Sequence, residues 1–224
     1  MRPLVEEALT RARALEDDYT LAGALAAKAE LLVGGDADYQ GAFATYEEAA
    51  AAYERAGDRT GAARMRTNLA EGLLLAGDHA ASVSLLRHLA PEMRELGLRD
   101  VEFTRLRLLG LGLLCAGELE EAQGALTEAV GLTLELEDRK GTVDCLLALG
   151  AVAAERSELA LAARVWAAAE RELDASPYQL YPVDRLAYER SLASTRPQLA
   201  DKAWDEAWAE GRRLSLEEAV AEAL

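Results

Sequence analysis

The sequence predicts an all-α fold of stacked helical hairpins, and three observations predict it. First, 51% of the chain is hydrophobic and only 5% aromatic, so Ala and Leu do the packing, and these are the strongest helix formers among apolar residues. Second, only five prolines occur in 224 residues, which leaves long stretches free of the residue that breaks helix interiors. Third, the chain repeats itself at a step of 40 residues, the mark of two-helix units that bury their faces on one another. So high an apolar content excludes a disordered chain.

The repeat is read from the small residues that open each second helix: Ala42, Ser82, Ala122 and Ala162. Four positions on stand Tyr46, Leu86, Leu126 and Trp166, all large, and three further stand Ala49, Leu89, Ala129 and Ala169. Upstream, Leu69-Ala70, Leu109-Gly110 and Leu149-Gly150 keep the same step, as do Leu73, Leu113 and Ala153. Gly77, Gly117 and Ser157 lie between the helices, where a left-handed residue ends a helix. Small residues let two helices approach closely and large ones fill the space between them.

These spacings resemble the tetratricopeptide pattern. The run Leu109-Gly110, Leu113, Gly117, Ala122, Leu126, Ala129 matches all seven of its core positions. The fourth repeat matches with Ser157 in place of Gly, and the second matches more loosely. The first matches only in its second helix, because Gly34-Gly35 sits two residues early. A period of 40 rather than 34 makes each hairpin's helices longer by about one turn. The resemblance implies a right-handed α-solenoid over residues 1–173, a half repeat plus four hairpins, followed by C-terminal capping helices over 174–224.

Taken in order, residues 2–15 read as the second helix of an earlier hairpin. Glu7-Ala8 followed by Glu16-Asp17 mirrors Glu128-Ala129 followed by Glu137-Asp138, so the chain is expected to begin inside a repeat of a longer protein. Paired helices follow at 18–33 and 38–55, 59–76 and 79–96, 100–116 and 119–136, and 140–155 and 158–173. Asp58 and Asp138 stand at helix starts, where a carboxylate accepts the orphan amide hydrogen bonds. After 173 the period stops. A Pro-bearing connection over 174–183 leads to helices at about 184–195, from Pro197 to about Arg212, and at 216–224. Pro197 suits a first helical position, and Ser215 with Glu218 forms a capping box.

The stretch Ala162-Ala163-Arg164-Val165-Trp166-Ala167-Ala168-Ala169-Glu170, then Tyr188-Glu189-Arg190, then Ala207-Trp208-Ala209-Glu210-Gly211-Arg212-Arg213-Leu214-Ser215-Leu216-Glu217-Glu218-Ala219-Val220 is a second signature. It resembles the C-terminal end of large bacterial signal-transduction regulators, which carry an NTPase module, helical repeats and often a LuxR-type helix-turn-helix. In that family this region is the sensor and interaction arm. Within it, Trp204, Trp208 and Leu214 read as a cap over the last repeat's apolar face. No G-x-x-x-x-G-K-[ST] run occurs, and Gly110-Leu111-Gly112 sits inside a helix pattern, where its glycines serve close packing.

Charge and chemistry narrow the function. With 24 basic against 40 acidic residues the formal net charge is −16, a field that repels phosphate backbones and anionic lipid. Direct nucleic-acid and membrane binding are therefore not expected. Cys115 and Cys145 are the only cysteines; both fall in apolar helical contexts and read as small buried thiols in a reducing cytoplasm. Residues 1–25 show no signal-peptide core, and no apolar run is long enough to span a bilayer. His79 and His88 are nine apart, not the three or four that places two metal ligands on one helix face. No nucleophile–base–orienter set stands out, so neither catalysis nor a cofactor is expected.

What remains is the groove lined by the first helix of each hairpin. The repeat register places Arg64, Thr67, Asn68 and Glu71 there, then Thr104, Arg107 and Leu111, then Asp144, Leu147 and Ala151, with Leu74 and Leu114 a turn further on. Arg64, Asn68 and Arg107 beside an apolar wall suit a peptide carboxylate or backbone; equally, Arg64 and Arg107 can balance Glu71 and Asp144. The helix Arg105–Cys115 is apolar nearly all round, and reads either as buried or as a surface for a partner. The expected occupant is a peptide or protein segment, or a neighbouring domain of the regulator. A small-molecule effector and a second copy of the chain are the alternatives.

Overall fold

The computed structural model describes residues 2–36 and 38–224, and among these the chain is all-helical. Helices α1 (Arg2–Leu15), α2 (Asp18–Leu31), α3 (Tyr39–Arg55), α4 (Arg59–Leu75), α5 (His79–Leu96) and α6 (Arg99–Ala116) come first. They are followed by α7 (Leu119–Glu135), α8 (Arg139–Glu155), α9 (Leu159–Asp174), α10 (Pro182–Thr195), α11 (Asp201–Gly211) and α12 (Leu216–Ala223). No described helix is long and apolar enough to cross a membrane.

The 40-residue step has a simple backbone cause. One left-handed residue closes a helix every 20 residues: Gly57, Gly77, Gly97, Gly117, Glu137 and Ser157 all have positive φ, between 54° and 84°. One residue later the next cap begins. Asp38, Asp58, Asp78 and Asp138 each accept an amide hydrogen bond from the residue three positions on, at 2.8–3.1 Å, which satisfies one of the orphan donors of the new helix. Glu118 and Glu158 occupy the same register and make no such side-chain cap, because a longer side chain overshoots the amides. The early Gly34-Gly35 pair falls in a π-helical stretch, Leu32–Asp36, that prolongs α2.

The chain divides into two compact units, residues 1–105 and 106–224, with the boundary inside α6. In the first unit α1 packs on α2, α2 on α3, α3 on α4 and α4 on α5, and Leu9, Leu25, Ala42, Tyr46, Ala49 and Ala62 belong to its core. In the second, α7 packs on α8 and α8 on α9, while the C-terminal helices fold back: α10 onto α8, α11 onto α9, and α12 onto α9 and α8.

Close approach in the second unit follows the expected alternation of small and large. A Cβ at Gly110 would stand 2.5 Å from Leu126 Cγ, and one at Gly150 only 2.4 Å from Trp166 Nε1. Trp166 is fully buried, and its indole donates to the Leu147 carbonyl at 3.0 Å. Burying one such side chain contributes roughly 2–3 kcal/mol. Gly211 explains part of the C-terminal signature, since a Cβ there would meet the Arg164 backbone oxygen at 2.2 Å.

In the tail, α11 and α12 pack on α9. Trp204 is buried, Trp208 and Leu214 are half-buried, and the Leu214 carbonyl accepts from Arg171. Ser215 and Glu218 form their capping box. Two expectations are corrected. Pro197 opens a short 3-10 turn, Arg196–Gln198, rather than a helix running to Arg212; α11 starts at Asp201, after extended Leu199. Arg196 fixes that turn, pairing with Asp201 at 2.8 Å and lying over the Trp204 ring. Cys115 is exposed, because it sits in the last turn of α6, whereas Cys145 is fully buried.

Candidate functional site

In the first unit, α4 carries Arg64, Thr67, Asn68, Glu71 and Leu74. The exposed Arg64 guanidinium donates to Asp100, not Glu71. Although burial acts to raise it, that bond and the charge behind it hold the Asp100 carboxyl below its ordinary value. Thr67 is buried and spends its hydroxyl on its own helix, donating to Ala63 O at 3.0 Å. Thr104 does the same to Asp100 O at 3.1 Å. Leu74 is buried. Asn68 is half-buried and, among the described residues, its side chain makes no hydrogen bond. Glu71 is half-buried beside it; burial pushes the Tyr46 phenol up, and the charges of Glu30 and Glu71 add to that. One repeat earlier, the Asn68 position is occupied by Lys28, half-buried and 4.0 Å from the Glu6 carboxylate.

In the second unit the same face is covered. Arg107 is 1% exposed and Asp184, on α10, 2%; Nη1 of Arg107 donates to both carboxylate oxygens. Tyr181 closes the end of this pair, its ring 5.3 Å from the Arg107 guanidinium and 4.0 Å from Lys140 Nζ. Lys140 in turn donates to Asp144 Oδ2 at 2.7 Å. Leu111, Asp144, Leu147, Ala148 and Ala151 meet Asp184, Ala187 and Tyr188 of α10 across a crevice too narrow for water. Tyr188 anchors the helix on α9, with its hydroxyl donating to Glu170 at 2.6 Å and its ring edge-on to Trp166 at 5.7 Å.

Arg107 hydrogen-bonds Asp184, 77 residues away, and its charge also acts on Asp144. Of the two readings of the apolar half of α6, burial is the one seen: every residue from Leu106 to Leu113 is buried, and Leu114 is half-buried. A sheath of apolar side chains around a helix is explained by burial on all sides.

The electrostatics of the cluster are balanced, with two carboxylates and two cations. Asp144 is strained within it. Burial first, and the Asp184 charge second, push its carboxyl up to about 6 against the restraint of Lys140 and Arg107. Its Oδ1 is buried without a hydrogen-bond partner. Next to it, burial pushes the Cys145 thiol up and keeps it protonated. Sequence reasoning found Arg107 and Asp144 but missed Asp184, Lys140 and Tyr181. Only Lys140 was signalled, four residues before Asp144 on one helix face. The chain matches no known protein-family model and no curated protein.

Proposed function

We propose that this chain is the non-catalytic protein-interaction arm of a bacterial transcriptional or signalling regulator. In this reading it is a right-handed array of tetratricopeptide-like hairpins in the cytoplasm, and the faces of its first helices hold a segment of a partner protein. One observation carries the reading: a helix already lies on such a face, where α10 rests on α8 and its Asp184 forms a buried pair with Arg107 of α6. The surface chemistry is therefore suited to a helical segment that brings a carboxylate. The corresponding row on α4 carries the exposed Arg64 and the half-buried Asn68 and Glu71. As a dimerisation scaffold the chain would need the apolar helix exposed, and its residues from Leu106 to Leu113 are buried.

The test is a selection of displayed peptides on the immobilised chain. Enriched peptides are expected to bind in the micromolar range. They should lose at least about tenfold, roughly 1.4 kcal/mol, on Arg64→Glu and on Asn68→Ala. Both sites are at least partly exposed, so both variants keep wild-type helicity by circular dichroism. Selected peptides that bind these variants and Glu71→Lys unchanged would sink the reading.

A further inference from the structure

Little of α10 is buried where it rests on α8. Of the fourteen residues of α10 only Val183, Asp184, Tyr188 and Thr195 are buried, while Leu186 is 56% exposed. The helix is bounded by non-helical segments on both sides. Before it, residues 177–181 carry no helix, and after it come the 3-10 turn and extended Leu199. It also satisfies its docking face incompletely. Asp144 Oδ1 is buried without a donor, and Asp144 and Ala187 both line the narrow crevice. A buried polar atom left unmatched counts against the arrangement that leaves it so. The methyl of Ala187 cannot donate; an amide at that register could.

We propose that α10 is the resident, displaceable occupant of a helix-docking face, and that the partner of this face is an amphipathic helix with a carboxylate at the register of Asp184, an amide side chain three residues on and a tyrosine at the fourth. The carboxylate takes over Arg107, the amide donates to Asp144, and the tyrosine replaces Tyr188 against Trp166 and Glu170. Apart from that one carboxylate the partner helix is neutral or basic. The host carries a net charge of −16, which repels an acidic helix, and the charges of α10 cancel, Asp184 and Glu189 against Arg185 and Arg190. This inference rests on the interaction reading above and names both the partner's chemistry and its competition with α10.

The probe is a labelled synthetic peptide of residues 182–195 carrying Gln at the Ala187 position, titrated into the full chain by fluorescence anisotropy. Wild type is expected to bind it, and Asp184→Asn, which weakens the resident helix, to bind it at least tenfold more tightly. A peptide with Asn at the Asp184 position should lose at least tenfold. A second variant keeps the test decisive if Asp184→Asn does not fold: Ala148→Cys with Ala187→Cys, in a Cys115→Ser background, locks α10 by a disulfide across the crevice. The oxidised lock should lose binding at least tenfold and regain it on reduction. Equal binding by locked and unlocked chains, equal binding of the Asn peptide, or no binding by any form overturns the displacement. Should displayed peptides still depend on Arg64 and Asn68 in that event, the interaction reading stands alone; loss of both results removes both.

Discussion

Asp144 is where the physics of a single residue is most exposed. Its carboxyl is pushed up to about 6 from an ordinary 3.8, first by burial and then by the Asp184 charge, with Lys140 and Arg107 opposing. A carboxyl raised in the folded state binds its proton more tightly there than in the unfolded chain. Acid therefore favours the fold at this site, and the gain develops as pH falls through 6 towards 3.8. From pH 7.5 to 5 this one group is expected to add about 1.4 kcal/mol. Asp144→Asn lacks it, so the difference between the two proteins isolates the effect from the other carboxylates of the chain. Urea titrations followed by tryptophan emission report on the right region, since Trp166, Trp204 and Trp208 all lie in the second unit. A wild-type minus Asp144→Asn difference that stays flat across that range would remove Asp144 as a titrating group. The same residue shows the reach of sequence reasoning. Register placed Arg107 and Asp144 on one face, but the partner of Arg107 stands 77 positions on, and no period connects the two.

At the scale of helices, the sequence was legible wherever a residue type answered a local geometric demand. Gly150 pairs with Trp166 and Gly110 with Leu126 because close helices need a missing Cβ opposite a large side chain, and the 40-residue step displays those pairs in register. The tail was legible in part: the capping box at Ser215 stood out, whereas the helix at Pro197 proved to be a short turn held by Arg196. That turn depends on a ring and a carboxylate further along the chain, which propensity does not weigh. The glycine argument yields a paired prediction. Gly150→Ala drives a methyl into the Trp166 indole and is expected to destabilise the second unit by about 1–3 kcal/mol. Gly124→Ala, on the exposed face of α7 with nothing within 4 Å, should instead stabilise by roughly 0.5–1 kcal/mol. Both are read as shifts in the denaturation midpoint of tryptophan emission. Equal effects of the two substitutions would mean that α8 and α9 can separate to admit the methyl.

Over the whole molecule, charge and chain topology act on different terms. The repeat period announced the hairpins, but not that α10 to α12 would fold back onto α8 and α9 and so join the later hairpins in one compact unit. That return is set by buried contacts such as Arg107 with Asp184 and Gly211 with Arg164, which carry no periodic signal. The excess of 40 acidic over 24 basic residues, by contrast, was plain from composition and has a consequence for stability. Ion pairs such as Arg55 with Asp18, Arg59 with Glu95 and Arg212 with Asp174 are largely exposed, and pairs of that kind contribute little each. The self-repulsion of −16 charges is summed over the surface and acts over longer distances than any contact pair. Raising sodium chloride from about 20 to about 300 mM shortens the screening length from roughly 20 Å to under 10 Å. Long-range repulsion is then damped more than pairs in contact at about 3 Å. The melting temperature by circular dichroism is accordingly expected to rise by a few degrees over that range. A fall would show that the exposed pairs, taken together, outweigh the net charge, and that the acidic surface is arranged for local pairing and not merely for solvation.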